Sequence, residues 1–328
     1  MTDLTTALAP RRPARADGPD TAPADVGLDL PDTLGGPAAG GPPTMDDDAA
    51  RTSSRLGYAL RFVARRPGLV VAVGWLVAVL LAAVAPAVLA SGDPLGGVPA
   101  DKLTGPTGQH WFGTDQLGRD LYTRVVHGTG TTLHAALLAI AIGLVVGSVL
   151  GLLAGFVGGA VDAVLMRIAD VLLAIPGILL SLAVVTALGF GTTNVAIAVG
   201  TTSVASVSRI LRSEVLRVRT SAYVEAARAG GSRWWRVLLV HVLPNSVGPV
   251  LVLAALELGT AILAVSSLSF LGYGAQPPQP EWGSLVAGGR DYLAGQWWLT
   301  TLPGVVIALT VLAGNRLARA LDTEGTPS

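Results

Sequence analysis

Cysteine is absent from the 328 residues, which excludes a disulfide scaffold, a thiol nucleophile and a Cys-ligated zinc site. Lysine is nearly absent. Its one copy, Lys102, is followed by Leu103, so no GxxxxGK(S/T) phosphate loop exists and any ATP must be used by another chain. Charged residues make up only 13% of the chain and balance, 22 basic against 22 acidic, leaving no electrostatic reason to expect nucleic acid as a partner. The four histidines, His110, His127, His134 and His241, lack ligand spacing and any HExxH context, so no metal site is expected. No nucleophile and base stand paired, which speaks against an intramembrane enzyme. What the chain does have is apolar residues, at 51%, with 41 glycines and a mean hydropathy of +0.58, far beyond an ordinary soluble domain.

Residues 1–50 hold nine aspartates, eight prolines, six glycines and no aromatic residue, a mixture that cannot bury enough apolar surface to offset chain entropy. Residues 1–55 are therefore expected to be a disordered acidic tail rich in Pro, Gly and Ala. They lack the basic start and apolar run of a signal peptide, so the tail is expected to stay on the mature protein. Residues 56–322 form the expected membrane domain and 323–328 a short C-terminal tail. Six nearly uncharged runs, about 69–90, 133–157, 166–188, 194–211, 246–270 and 298–318, match the ~20 helical residues needed to cross a ~30 Å hydrocarbon core. The third and fourth share one run that breaks at Gly189-Phe190-Gly191. Lipid leaves no option but internal backbone pairing, and barrel-type alternation is missing, so the expected fold class is all-α, a polytopic transmembrane helical bundle of about six spans.

Placing both termini inside assigns fifteen basic residues to the cytoplasmic segments 51–68, 156–170, 209–241 and 316–328 and only four, Lys102, Arg119, Arg124 and Arg290, to the opposite loops. Trp75, Trp111, Trp282, Trp297 and Trp298 fall mostly near span ends or outer loops, where an indole N–H can stay wet. In the second span Gly143, Gly147, Gly151, Gly155 and Gly159 recur at i+4, a stripe on which another helix can approach closely, whether for static packing or for sliding during transport.

The longest loop on the basic side, 212–244, is too polar for the bilayer and too regular for a floppy connector. Tyr223–Ala229 has good helix formers, Gly230-Gly231 stops that helix, Ser232 can cap a second one starting at Arg233, and Pro244-Asn245 resets the chain before the fifth span. Such a hairpin can insert into a groove on a cytoplasmic partner, or lie on lipid headgroups held by Arg217, Arg219, Arg233 and Arg236. Physics alone leaves these two readings even.

The string EAARAGGSRWWRVLLVHVLPN at 225–245 resembles the EAA loop of ABC importer permeases, with Glu225, Ala226, Ala227, Gly231, Leu243 and Pro244 at matching spacing. FGTDQLGRDLYTRVVHG at 112–128 and SLSFLGYGAQPPQPEWGSLVAGGRDYL at 267–293 are similar to the DppC/OppC-type permeases of dipeptide, oligopeptide and nickel importers. The resemblance covers about residues 55–322. It implies a type I ABC importer permease fold and a subunit that forms half a translocation pathway. The implied partners are a second permease, giving a heterodimer, two cytoplasmic ATPases that carry the ATP and Mg, and an extracytoplasmic substrate-binding protein. The implied setting is the bacterial cytoplasmic membrane, with no cofactor on this chain and no covalent chemistry. Di- and oligopeptides are the implied cargo, with nickel or another small solute as the alternative. The sequence departs from the family where Val265 stands in place of a common acidic residue, and it is several residues shorter between Asn315 and Leu321-Asp322.

Glu257 falls about eleven residues into the fifth span, deep in the bilayer, where an ionisable group is expensive. It is expected to line the pathway or to make an interhelical hydrogen bond. A transporter driven by ions through Glu257 is the rival of another class, and such a carrier has no need of an EAA loop. Asp162 and Asp170 lie near Arg167 and are expected to be ion-paired or wet. Asp115, Arg119 and Asp120 are expected on an amphipathic helix with Leu117, Leu121 and Val125 on one face. That helix either lies on the outer interface or, with the Gln276–Trp282 loop, docks the binding protein.

Overall fold

The computed structural model describes residues 67–322; the proposed acidic tail at 1–55, the start of the membrane domain and the tail at 323–328 lie outside the described residues. Within them the chain is helical, with only isolated bridges such as Gly97 to Arg119. The long elements are α1 (Pro67–Val84), α2 (Leu121–Val157), α3 (Gly159–Ala174), α4 (Gly177–Leu188), α5 (Thr192–Arg219), the short α6 (Ala222–Ala229), α7 (Gly248–Phe270), α8 (Trp282–Gly289) and α9 (Trp298–Asp322). Among the described residues α1, α2, α5, α7 and α9 are each long and apolar enough to cross a membrane, and α3 with α4 raises the number to six if that pair is one span.

The expected third span at 166–188 needs correction, because α3 and α4 meet at 99°. The break lies at Ile175-Pro176: proline brings no N–H to a helix ladder and disfavours α geometry in the residue before it, and Ile175 is extended. The break expected at 189–191 is present, with Gly189 at φ +90° and Gly191 at φ +124°. The second span starts earlier than 133. Its helix begins at Leu121, where Asp120 Oδ2 accepts from Thr123 N at 2.8 Å and from Thr123 Oγ1 at 2.7 Å.

The glycine stripe is the α2–α5 seam. A Cβ on Gly147 would stand 2.7 Å from Val207 Cβ, and one on Gly151 2.5 Å from the Ser208 carbonyl oxygen. Gly143 and Gly155 are equally crowded by α5, whereas Gly159 opens α3 with free space around it and does not belong to the seam. Besides a small cluster of Ala82, Ala90 and Val126 where α1 ends against α2, three larger buried clusters run along the bundle. One joins α1, α2, α7, α8 and α9 around Trp282, one joins α2, α4, α5 and α7, and one joins the end of α5 to the 222–246 hairpin. Many large apolar side chains of the long helices, such as Val71, Leu80, Val145 and Leu312, are exposed, as a surface meant for lipid or for another helical subunit requires.

Trp282 corrects the expectation for the indoles. It is 0% exposed, and its Nε1 donates to the Val125 carbonyl oxygen at 3.0 Å rather than to water. Trp75 lies mid-way along α1 and donates to Thr310 Oγ1 of α9 at 3.0 Å.

Candidate functional site

The loop expected at 212–244 begins later than expected: residues 212–219 continue α5, and the hairpin starts at Thr220, where α5 ends. Ser221 Oγ donates to the Val218 carbonyl at 2.6 Å, and the Ser221 carbonyl receives Val224 N and Glu225 N at 3.0 and 3.1 Å, which turns the chain into α6. Val224 is completely buried against α5. Glu225 and Ala226 are exposed and point away from the bundle, while half-buried Ala227 packs against the cluster that joins the hairpin to α5. The Glu225 carboxylate makes no hydrogen bond and no ion pair among the described residues.

The helix stops as the glycines dictate. Gly231 sits at φ +77°, its N–H reaches the Arg228 carbonyl at 3.0 Å and Ser232 N reaches the Ala227 carbonyl at 3.1 Å, the paired bonds of a Schellman termination. The second helix begins at Trp234, one residue later than expected, and Ser232 gives it no side-chain cap. Nor does Pro244 break the chain. Residues 237–242 continue as a wide π turn into Leu243–Ser246, and that wider ladder accommodates the missing Pro244 N–H; Leu243 is half-buried and Pro244 exposed.

Three contacts brace the hairpin against the bundle. Val237 and Val242 join Val207, Leu211, Val215, Val218 and Val224 in one buried cluster. Arg228 lies over the Phe156 ring at 5.9 Å, and Phe156 meets Trp234 at 6.4 Å between centroids. Arg219 Nη1 donates to the Gly155 carbonyl at 2.7 Å, placing a cation on the C-terminal end of α2. A push on α6 is therefore felt by both α2 and α5. Trp234, Trp235, Leu239 and Val240 of the second arm of the hairpin are also exposed.

Asp162 pairs with Arg212, Nη2 to Oδ2 at 2.6 Å, and Asp170 pairs with Arg209, so α3 is tied to α5 rather than to Arg167. Glu257 is half-buried on α7, accepting from Ser203 Oγ of α5 at 3.4 Å and from Thr260 Oγ1 at 3.1 Å. Of its two expected roles, the interhelical hydrogen bond is the one the geometry displays.

At the far end of α2, the expected amphipathic helix through Asp115, Arg119 and Asp120 is absent. The residues form a tight turn in which Gly118 is at φ +73° and Asp115 Oδ1 accepts from Leu117 N at 2.8 Å and Arg119 N at 3.0 Å. Asp115 Oδ2 accepts from Arg119 Nε at 2.7 Å, and Asp120 pairs with His110 at 2.9 Å besides capping α2. Buried Asp115 and Arg119 and fully buried Trp282 offer no protruding contact to a docking protein; of that group only Gln276 is exposed.

Glu281 has a role that the sequence reading missed. It is 0% exposed, caps α8 by accepting from Gly283 N and Ser284 N, both at 3.0 Å, and lies 3.2 Å from Thr132 Oγ1 of α2, which in turn accepts from Trp282 N at 3.1 Å. Burial pushes its carboxyl above the ordinary value of 4.5, against the pull of its hydrogen-bond donors. The signal was a lone acid immediately before a helix start, a capping pattern.

Residues 147–324 match the family described as binding-protein-dependent transport system inner membrane component. The chain is 40% identical over 227 residues to the probable D,D-dipeptide transport system permease protein DdpC of Escherichia coli, covering 69% of this chain and 76% of that protein. It is 37% identical to the dipeptide transport system permease protein DppC of Alkalihalophilus pseudofirmus, with the same coverage. A glutathione transport system permease protein GsiD of Salmonella paratyphi A is 42% identical over 280 residues, 85% of this chain and 92% of that one.

Proposed function

Because the chain belongs to the family of binding-protein-dependent transport system inner membrane components, a permease subunit and not an enzyme, we propose that it is the half of a peptide importer that receives force through its 220–244 hairpin. The observation that carries this reading is Glu225. It is an exposed carboxylate without a partner among the described residues, on a helix whose opposite face is locked into the ends of α2 and α5. Such a helix fits a cleft on a cytoplasmic ATPase. The methyl groups of Ala226 and Ala227 allow close approach, and Glu225 offers a charge to a basic rim. ATP and Mg belong to that partner, and two ATPases would serve this chain and a second, different permease. Closure of the ATPases then rocks α2, α3 and α5 as a unit between inward-open and outward-open states, since the glycine seam joins α2 to α5 and the Asp162–Arg212 pair joins α3 to α5.

The basic-residue distribution supports a bacterial cytoplasmic-membrane protein with both termini and the hairpin inside and the 112–120 and 272–292 segments outside, facing a substrate-binding protein. The named cargoes of the relatives are a dipeptide, a D,D-dipeptide and glutathione, which favours small peptides over nickel for this chain. An ion-coupled carrier is not favoured, because Glu257 is engaged by Ser203 and Thr260 and the hairpin has no task in such a carrier. In the assembled transporter, Glu225→Lys is expected to leave the chain inserted and paired with its partner permease while uptake of a radiolabelled dipeptide falls at least tenfold. Uptake at the normal rate would overturn the reading.

A further inference from the structure

Arg119 and Arg124 share one carboxylate. Asp115 is the anion for both: Oδ2 lies 2.7 Å from Arg119 Nε and 3.6 Å from Arg124 Nε, and Oδ1 is already engaged by two backbone N–H groups. All three side chains are nearly closed off, at 10%, 6% and 7% exposure for Arg119, Arg124 and Asp115. Arg124 Nη1 donates to the Pro94 carbonyl at 2.8 Å, while its buried Nε has no hydrogen-bond partner. Neither Nη atom of Arg119 has one among the described residues. A buried cluster that is short by one negative charge is costly, since each cation loses hydration and only one is compensated.

The same three residues line a cavity of about 420 Å³, whose other walls include Gln276, Gln279 and Ser284. Among the described residues they are its only ionisable lining groups, so the net charge of that wall is positive. The cluster is held rigidly, because the turn needs Gly118 at φ +73°, where a Cβ would strike the Val98 carbonyl oxygen at 1.9 Å. A preorganised, under-neutralised guanidinium pair in a cavity the size of a few residues matches one ligand chemistry, a carboxylate taken up by the Arg fork. We infer that this cavity is a carboxylate-binding site. It lies at the opposite end of α2 from the hairpin, about 50 Å away at 1.5 Å per residue, so it is separate from the surface that faces the ATPase. Which carboxylate fills it, that of a free peptide or an acidic side chain of the binding protein, rests on the importer reading; the presence of the site does not.

The absence of native cysteine allows a direct test in the full-length chain, purified with its transporter partners in nanodiscs. Gln276→Cys puts a thiol at the exposed rim of the cavity, and Thr107→Cys supplies an exposed reference outside it. Anionic 2-sulfonatoethyl and cationic 2-trimethylammonioethyl methanethiosulfonates are compared at both. Normalised to Thr107→Cys, the anionic reagent should be favoured about tenfold at Gln276→Cys, the size expected for one net charge at such range. N-acetylalanine should slow the labelling, and its neutral amide at equal ionic strength should not, if free carboxylates enter. If only the binding protein slows it, and Arg119→Gln removes that protection, the site takes an acidic side chain. Should Arg119→Gln not fold, Arg119→Lys serves: charge preference should persist while protection weakens, because the fork is gone. No charge preference, or protection by neither carboxylate source, overturns the inference, whatever the transport assay shows.

Discussion

Glu281 is the residue whose surroundings are most at odds with its chemistry. Its carboxyl is buried between the start of α8 and Thr132 in the first third of α2, and burial raises its pKa above 4.5. A raised acid pKa means that the folded state holds the proton more tightly than the unfolded chain. The contribution to stability is complete below 4.5 and is lost as pH rises through the folded value. Melting followed by tryptophan fluorescence should therefore show the wild type losing stability with rising pH across this window, and Glu281→Gln lacking that slope. The variant should also lose one cap bond, about 1 kcal/mol, at all pH values. Equal slopes would mean that the carboxyl is ionised in place. Gly231 gives a second prediction at this scale. At φ +77° an alanine pays the left-handed penalty of roughly 1–2 kcal/mol, so Gly231→Ala should loosen the hairpin and increase protease cleavage around 230 without altering membrane insertion.

Among the elements, the α2–α5 seam governs how force travels. Gly151→Ala drives a methyl against the Ser208 carbonyl, an overpacking that costs about 1–3 kcal/mol, whereas Gly74→Ala in α1 meets open space and should be neutral or stabilising. A drop in melting temperature for Gly151→Ala alone would mark the stripe as a tight seam; tolerance in both would mean that α2 and α5 can separate. This seam, the break at 189–191 and the Schellman stop at Gly231 were all readable in the sequence, because glycine marks close approach and left-handed backbone locally. The bend at Pro176 was also signalled, but hydropathy summed over 166–188 hides a single proline. The turn at Asp115–Arg119 was misread because i,i+4 spacing of opposite charges suits a helix and the left-handed Gly118 between them was overlooked. The partners of Asp162 and Asp170 lie 50 and 39 residues away, across a pairing of helices that no local pattern encodes. Glu281 drew no assignment from the sequence, because only the packing of α8 onto α2 buries it.

For the molecule as a whole, orientation and partner contact are the decisive quantities. With fifteen basic residues on one side and four on the other, Thr107→Cys and Gln279→Cys should label from outside intact cells, while Ser232→Cys should label only after the membrane is opened. Labelling of Ser232→Cys in intact cells would invert the molecule. The central claim is that α6 is the surface through which an ATPase drives α2 and α5. It is tested most directly by a photo-crosslinking amino acid at Ala226, exposed beside Glu225, in the assembled transporter. A crosslink to an ATPase subunit is expected, with a yield that changes when ATP is bound. Crosslinks to lipid alone, or to the binding protein, would contradict it.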